Sequence, residues 1–127
     1  MYISDYFLKV YKLINDFTLT ANYNIETDIR SSKIGFIKIA LFLRNESVLY
    51  IREFISIYGN EIDRLMYVYQ YLDKSGNLIF RYDNTEHFPQ LNNYPHHKHL
   101  NNGNVIESNA PLLEDVLFEI EMNFETI

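Results

Sequence analysis

Residues 34–58, IGFIKIALFLRNESVLYIREFISIY, decide the fold. Within residues 34–44 and 47–58 the aliphatic side chains recur at every second position, which is the pattern of β-strands. The separator Asn45-Glu46 is short enough to predict an antiparallel hairpin. The alternation places the aliphatic residues on one face, which we expect to pack on helices. They are Ile37, Ile39, Leu41, Leu43, Leu49, Ile51, Ile55 and Ile57.

The sequence after this hairpin predicts more strands of the same kind. Segments rich in Tyr, Val, Ile and Phe follow at residues 63–73 and 78–83, each after a short turn. Residues 18–32 are polar and show no sustained period. We expect them to connect the first helix to the sheet, with a short extra strand as the alternative.

Helices are predicted at both ends of the chain. Residues 3–17 repeat apolar side chains at intervals of three and four, and an apolar stripe of the same kind follows Pro111. The chain is therefore expected to be a single α+β domain over residues 1–127. Its sheet is predicted to be an antiparallel four- to five-stranded meander, with an N-terminal and a C-terminal helix packed on one face.

Composition and charge narrow the classes of function. The absence of cysteine excludes thiolate catalysis and disulfides. The net charge of −6 argues against broad nucleic-acid binding, but all 11 Lys and Arg residues precede residue 107, while six of the 17 acidic residues lie at or beyond it. Met1–Asp5 does not resemble a secretory signal and no apolar run reaches membrane-spanning length, so we expect a cytoplasmic protein with no membrane partner.

All four histidines fall within 13 residues, beside a lysine, an arginine and an aspartate. Two imidazoles can serve as base and acid in phosphoester transfer, cations can stabilise charge on the phosphate, and a carboxylate can orient a histidine tautomer. We therefore predict metal-independent cleavage of RNA, without a cofactor. In an extended chain His97 and His99 project to one side, whereas His96 and Lys98 project to the other. The predicted catalytic residues are His96, His97, His99, Lys98, Arg81 and Asp83.

Two other interpretations of the histidine segment stay open. The first is a metal site, because imidazole and carboxylate groups are competent ligands of divalent ions, although no established zinc spacing is present. The second treats the histidines as hydrogen-bonding groups of a structural loop. The competent ligands by residue type are Asp83, Glu86, His87, His96, His97 and His99.

Further candidate residues lie on the sheet. The face opposite the aliphatic one is mixed, with Phe36, Lys38, Phe42, Tyr50, Arg52 and Phe54, and suits a partner or ligand. Tyr67 and Tyr69 either stack on unpaired bases or pack across strands. Glu53 interrupts the aliphatic face, so it is either a hydrogen-bonded structural group or a tuned carboxylate. The predicted substrate-binding residues are Arg52, Tyr67, Tyr69, Tyr82 and His87.

Several motifs are specific in combination. They are Arg52-Glu53-Phe54, Tyr67-Val68-Tyr69-Gln70-Tyr71, the segment Gly76–Asn84, His87, Tyr94-Pro95-His96-His97-Lys98-His99, and the final helix after Pro111. Through these residues the sequence resembles the TumE-like toxins of prokaryotic toxin–antitoxin modules over roughly residues 47 to 124. The chain departs from the family pattern at Thr85-Glu86, where a small residue and Pro are expected, and at Tyr94, where Phe is usual.

The resemblance implies a growth-inhibiting toxin that pairs with an antitoxin protein encoded nearby. It also implies a ribonuclease or another activity directed at translation, with RNA as substrate. A homodimer and a toxin–antitoxin hetero-oligomer are both compatible with it. The competing class is a non-enzymatic toxin that binds a translation component through a tyrosine-rich face.

Overall fold

The computed structural model describes residues 1–124, which form two helices and seven strands. The strands make one antiparallel sheet in which each strand pairs with the next along the chain, so the sheet is a meander between two terminal helices. The elements are α1 (Ile3–Asp16), β1 (Thr20–Ile29), β2 (Ile34–Leu43), β3 (Val48–Tyr58), β4 (Glu61–Leu72), β5 (Leu78–Asp83), β6 (His97–Leu100), β7 (Val105–Glu107) and α2 (Leu113–Met122).

Both helices pack on the same face of the sheet, as the alternation predicted. The aliphatic face of β2 and β3 is buried, with Leu41, Leu49 and Ile51 each at 0% exposure. It joins the apolar stripes of the two helices in one core. The buried helix residues are Ile3, Phe7, Val10 and Ile14 of α1, and Leu113, Val116, Leu117 and Ile120 of α2.

The opposite side of the sheet, which we name the open face, carries no helix within residues 1–124. Strand register places one row of side chains across it, because Lys38 pairs with Arg52, Arg52 with Val68, Val68 with Asp83 and Asp83 with His97. Side chains in register on one face of neighbouring strands are close neighbours. The helix-covered side is named the helix side below.

The sheet has seven strands, so the prediction of four to five strands was wrong. The segment predicted as a connector forms β1, a strand of 10 residues. As an edge strand with most side chains exposed, it has little apolar surface to reveal its period. The strands β6 and β7 have only 4 and 3 residues, too few for an alternation pattern to be detected.

Gly35 on β2 lies directly against side chains of α1. A Cβ atom at this position would lie 2.8 Å from Cγ1 of Ile3 and 2.9 Å from Cζ of Phe7. Both neighbours are buried side chains of α1, so a methyl group here would crowd the core. Glycine at this position leaves room for the two side chains to pack against the sheet.

We expect Gly35→Ala to lower the free energy of unfolding by about 1–3 kcal/mol, the usual cost of overpacking a core. Chemical denaturation measures the loss, with the exposed α1 residue Leu8 changed to Ala as the control. An unchanged denaturation midpoint for Gly35→Ala would show that α1 does not rest on this glycine.

Candidate active site

Two neighbouring strands bring four of the predicted side chains together on the open face. Asp83 at the end of β5 pairs with His97 at the start of β6, and Arg81 pairs with His99. Because alternate residues of a strand share a face, all four side chains leave the sheet on the same side. The extended conformation predicted for the histidine segment is therefore observed from His97 onward.

The carboxylate of Asp83 lies at the centre of this group and is 1% exposed. Its Oδ1 atom accepts hydrogen bonds from the backbone N–H of Thr85 at 3.0 Å and from the Thr85 hydroxyl at 2.6 Å. Its Oδ2 atom accepts from Nε of Arg81 at 2.8 Å. Burial raises the pKa of Asp83, but the hydrogen bonds from Thr85 and Arg81 outweigh it and hold the pKa below its usual value. Asp83 is therefore an anion at neutral pH.

The ring of His97 is fixed from one side by the backbone. Its Nδ1 atom lies 2.9 Å from the carbonyl oxygen of Pro95, and because a carbonyl only accepts, Nδ1 carries the proton. Its Nε2 atom lies 2.9 Å from Oδ1 of Asp83, yet at an angle that does not make a hydrogen bond. Within residues 1–124, this nitrogen is the one buried polar side-chain atom without a hydrogen-bond partner.

His99 is the exposed imidazole of the group. Its side chain is 29% exposed, and Nε2 lies 3.6 Å from Oδ2 of Asp83. Partial burial lowers the pKa of His99, and the attraction of Asp83 offsets only part of this effect. The ring of Phe88 packs edge-on against both histidines, with centroids 4.8 Å from His97 and 5.9 Å from His99. The loop that carries Phe88 thus covers His97 and leaves His99 at the surface.

Two predicted catalytic residues lie on the helix side instead. Lys98 donates to Glu119 of α2 at 3.0 Å and lies 4.8 Å from the ring centroid of Tyr82. The imidazole of His96 stacks on Tyr67, and its Nδ1 atom is 2.9 Å from the tyrosine hydroxyl. Since alternation sends both side chains away from Asp83, Lys98 and His96 are not part of the open-face group.

The tyrosines predicted to contact substrate also face the helix side. Tyr67 is 1% exposed and Tyr69 is 0% exposed, so neither ring can stack on a base. Their role is packing, the second of the two interpretations above. The hydroxyl of Tyr82 donates to Glu119 at 2.6 Å. A binding surface built on Tyr67 and Tyr69 is therefore not present, which also weakens the non-enzymatic alternative.

Glu53 is a hydrogen-bonded structural carboxylate. It is 1% exposed and accepts from the hydroxyls of Tyr6 and Tyr69. Arg64 donates to the Tyr69 hydroxyl at 3.0 Å and so extends the network. Glu53 also lines a groove of about 750 Å³ between α1 and α2, on the opposite side of the sheet from Asp83. Glu53 is therefore separated from the histidine group by the sheet.

The remaining predicted substrate contacts are Arg52 and His87. Arg52 is exposed on the open face of β3, two strands away from Asp83 in the same cross-strand row. Strand spacing puts the two backbones roughly 10 Å apart. His87 is exposed on the covering loop, with its ring centroid 6.4 Å from that of Phe88. Both residues border the group without forming part of it.

Sequence reasoning missed two members of the site. Thr85 supplies two of the hydrogen bonds to Asp83. An aspartate followed two residues later by threonine is a typical local side-chain-to-backbone turn, so the spacing was a usable signal. Phe88 covers the histidines from a loop without periodicity, and no local pattern indicates such a contact.

Comparison with known families now adds to this geometry. The family model described as toxin TumE matches residues 10–123, most of the chain. The chain belongs to the TumE toxin family. Neither the curated proteins nor the solved structures contain a match. Membership of the TumE family makes the chain a toxin and implies an antitoxin as its partner. Among the described residues, no helix has both the length and the apolar character to cross a membrane.

Proposed function

We propose that this TumE-family toxin is an endoribonuclease whose chemical centre is the group Arg81, Asp83, His97 and His99 on the open face. The observation that carries the proposal is the convergence of two histidines, a buried carboxylate and a partly exposed arginine on the face of the sheet opposite the two described helices. Residues of these types, brought together at one site, are typical of phosphoester chemistry.

Arg81 is suited to hold a phosphate of the RNA backbone. Its Nε atom is bound to Asp83, and one terminal nitrogen lies 3.1 Å from the side-chain oxygen of Gln70. Its side chain is 36% exposed, so part of the guanidinium still faces solvent. A guanidinium fixed in this way can donate to phosphate oxygens and stabilise the charge that develops on them.

A path for the rest of the RNA backbone follows the basic side chains of the open face. Lys38 and Arg52 are exposed and lie in the cross-strand row that ends at Asp83 and His97. The acidic helix α2 packs on the other side of the sheet. The negative net charge is therefore partly segregated away from this face, which reduces the electrostatic objection to RNA binding.

Arg52→Ala and Lys38→Ala are each expected to weaken RNA binding several-fold, whatever the RNA sequence. Each loss of a phosphate contact should also reduce the slope of log affinity against log salt by about 0.7–1. Binding of a labelled single-stranded RNA at several salt concentrations measures both effects. Lys12→Ala, at an exposed position of α1, is the control. Equal losses for Lys12→Ala would place the RNA elsewhere.

The paired-histidine scheme predicted from the sequence needs two imidazoles that reach the substrate. His99 meets this requirement, whereas His97 is 1% exposed beneath Phe88, and His96 lies on the helix side. Metal-independent acid–base cleavage stays a prediction, and an assay with and without EDTA tests it.

The direct test of the proposal uses purified protein and a structured RNA, with divalent metal supplied in one arm and EDTA in the other. Wild type should cleave the RNA in at least one arm. His99→Gln should cleave it at least about 100-fold more slowly, the lower range for loss of an acid, a base or an equivalent group. His96→Gln is the matched control, since it changes a neighbouring histidine on the opposite face. Absence of cleavage in both arms, or equal losses for the two variants, would overturn the proposal.

A further inference from the structure

The side chains of Asp83, His97 and His99 can offer one ligand atom each within 4.8 Å of one another. We infer that these three residues bind a divalent first-row transition metal. The set is two imidazole nitrogens and one carboxylate oxygen on two adjacent strands, with positions around the ion left open for water or substrate. The inference extends the proposed function, because it assigns the means of activation at the same site.

The unpartnered nitrogen of His97 is the first argument. The Nδ1 atom of His97 is directed at the Pro95 carbonyl, and its Nε2 atom faces the carboxylate of Asp83 without a hydrogen bond. A cation held between Nε2 and this carboxylate would satisfy the buried nitrogen. A backbone carbonyl that holds the distal N–H is also the usual support of a metal-binding histidine.

The hydrogen bonds of Asp83 give the second argument. Each carboxylate oxygen has two lone pairs. Thr85 occupies both of those on Oδ1, through its N–H and its hydroxyl, while Arg81 occupies one on Oδ2. His97 therefore finds no free acceptor on Oδ1, which agrees with the poor angle between them. The remaining lone pair belongs to Oδ2, the oxygen nearest His99 at 3.6 Å.

The donor types select the class of metal. Imidazole nitrogen suits Zn²⁺, Fe²⁺, Co²⁺ and Ni²⁺, whereas Mg²⁺ and Ca²⁺ prefer oxygen ligands alone. Ligands about 2.1 Å from one ion lie no more than about 4.2 Å apart. The three ligand atoms lie within 4.8 Å of one another, so a small adjustment of the side chains brings them within this limit. Nε2 of His97 lies 2.9 Å from Oδ1 of Asp83, and Nε2 of His99 lies 3.6 Å from Oδ2. Burial of Asp83 and His97 at 1% exposure keeps two of the three donors out of competition with water.

Such an ion would also activate the phosphate or a water molecule, which the exposed side chains alone are not placed to do. In an RNA-cleaving site it polarises a phosphate oxygen or lowers the pKa of a bound water. Arg81, which pairs with His99 across β5 and β6, is left to bind the phosphate. The buried His97 then contributes as a ligand, a role that does not require it to reach the RNA.

Cobalt(II) is the probe that tests the site without RNA, because its visible absorption reports the nitrogen and oxygen ligands around it. Wild type should bind one equivalent, seen in the absorption spectrum and by calorimetry. His99→Gln should bind at least about 10-fold more weakly. His96→Gln and His87→Gln should retain wild-type affinity. His99 is half-buried at the surface, so its replacement should leave the fold intact, which a circular dichroism melt verifies.

Three results would overturn the inference. They are no binding by wild type, equal binding by wild type and His99→Gln, or a loss in His96→Gln as large as in His99→Gln. Cobalt binding without RNA cleavage would support the metal site and contradict the ribonuclease. Cleavage in EDTA with no cobalt binding would support the ribonuclease and contradict the metal site. The two proposals can therefore fail separately.

Discussion

Asp83→Asn is expected to reduce RNA cleavage and toxicity by at least about 100-fold. The carboxylate accepts hydrogen bonds from Arg81 and Thr85 and lies within 4 Å of both histidines, so it is the centre of the open-face group. An amide of the same shape fills the space, but it offers one acceptor oxygen in place of two and carries no charge. Growth after induction and cleavage of RNA by the purified variant measure the loss.

Glu107→Gln is the matched control for this substitution. Glu107 lies opposite His97 on β7 and is exposed, so its replacement removes a negative charge beside the same histidine. It should lower activity by no more than a few-fold. Equal losses in the two variants would show that general surface charge matters, and that the buried carboxylate has no special part in the chemistry.

Tyr69→Phe should lower the free energy of unfolding by about 1.5–3 kcal/mol, the usual contribution of a hydrogen bond to a charged group. The substitution removes one of the two hydroxyls that donate to the buried Glu53. It also removes an acceptor of Arg64. Urea denaturation measures the change, with the slope against denaturant as a test that the fold stays two-state.

Tyr71→Phe gives the matched comparison on the same strand and the same face. Its hydroxyl lies 2.7 Å from the hydroxyl of Ser47, a neutral partner that also binds Asn45. Loss of this contact should cost only about 0.5–1.5 kcal/mol. A larger loss for Tyr71→Phe than for Tyr69→Phe would contradict the assignment of Glu53 as a hydrogen-bonded structural carboxylate.

Both tyrosine variants should keep their activity per folded molecule. The sheet separates Glu53 from Asp83, because the first lies on the helix side and the second on the open face. Stability and catalysis are therefore expected to respond to different substitutions. Tyr69→Phe should change stability alone, and His99→Gln should change catalysis alone.

Alternation predicted the most informative part of the site. The sequence separated His97 and His99 from His96 and Lys98, and the pairing of β5 with β6 confirms that separation. It also located the hairpin of β2 and β3 and the two helices, because each of these segments has enough apolar residues for its period to be read.

The side of the sheet on which Tyr67 and Tyr69 lie depends on a register shift in β4, which the hydrophobic periodicity does not reveal. Phe54 pairs with Met66, while the next residue, Ile55, pairs with Arg64, so Leu65 is the extra residue of a bulge. The bulge allows Arg64 and Tyr67, three residues apart, to face the same side, with the guanidinium carbon 4.5 Å from the ring centroid. Without knowledge of the bulge, the strand phase around Tyr67 remained undetermined.

The contacts of His97 and His99 with Phe88 could not be predicted from the sequence, for a different reason. Phe88 reaches His97 and His99 from a segment without regular structure, and its contact follows from the path of the whole loop. The burial of His97 therefore could not be predicted from residue types, although it decides that His97 has almost no surface with which to touch a substrate.

The most direct test of the central claim is a map of RNA 5′ ends after brief induction of wild type, His99→Gln and His96→Gln at equal protein levels. The account predicts new ends at defined positions with wild type and with His96→Gln, and their absence with His99→Gln. Identical ends with both variants, or growth arrest by wild type without new ends, would contradict a ribonuclease site on the open face.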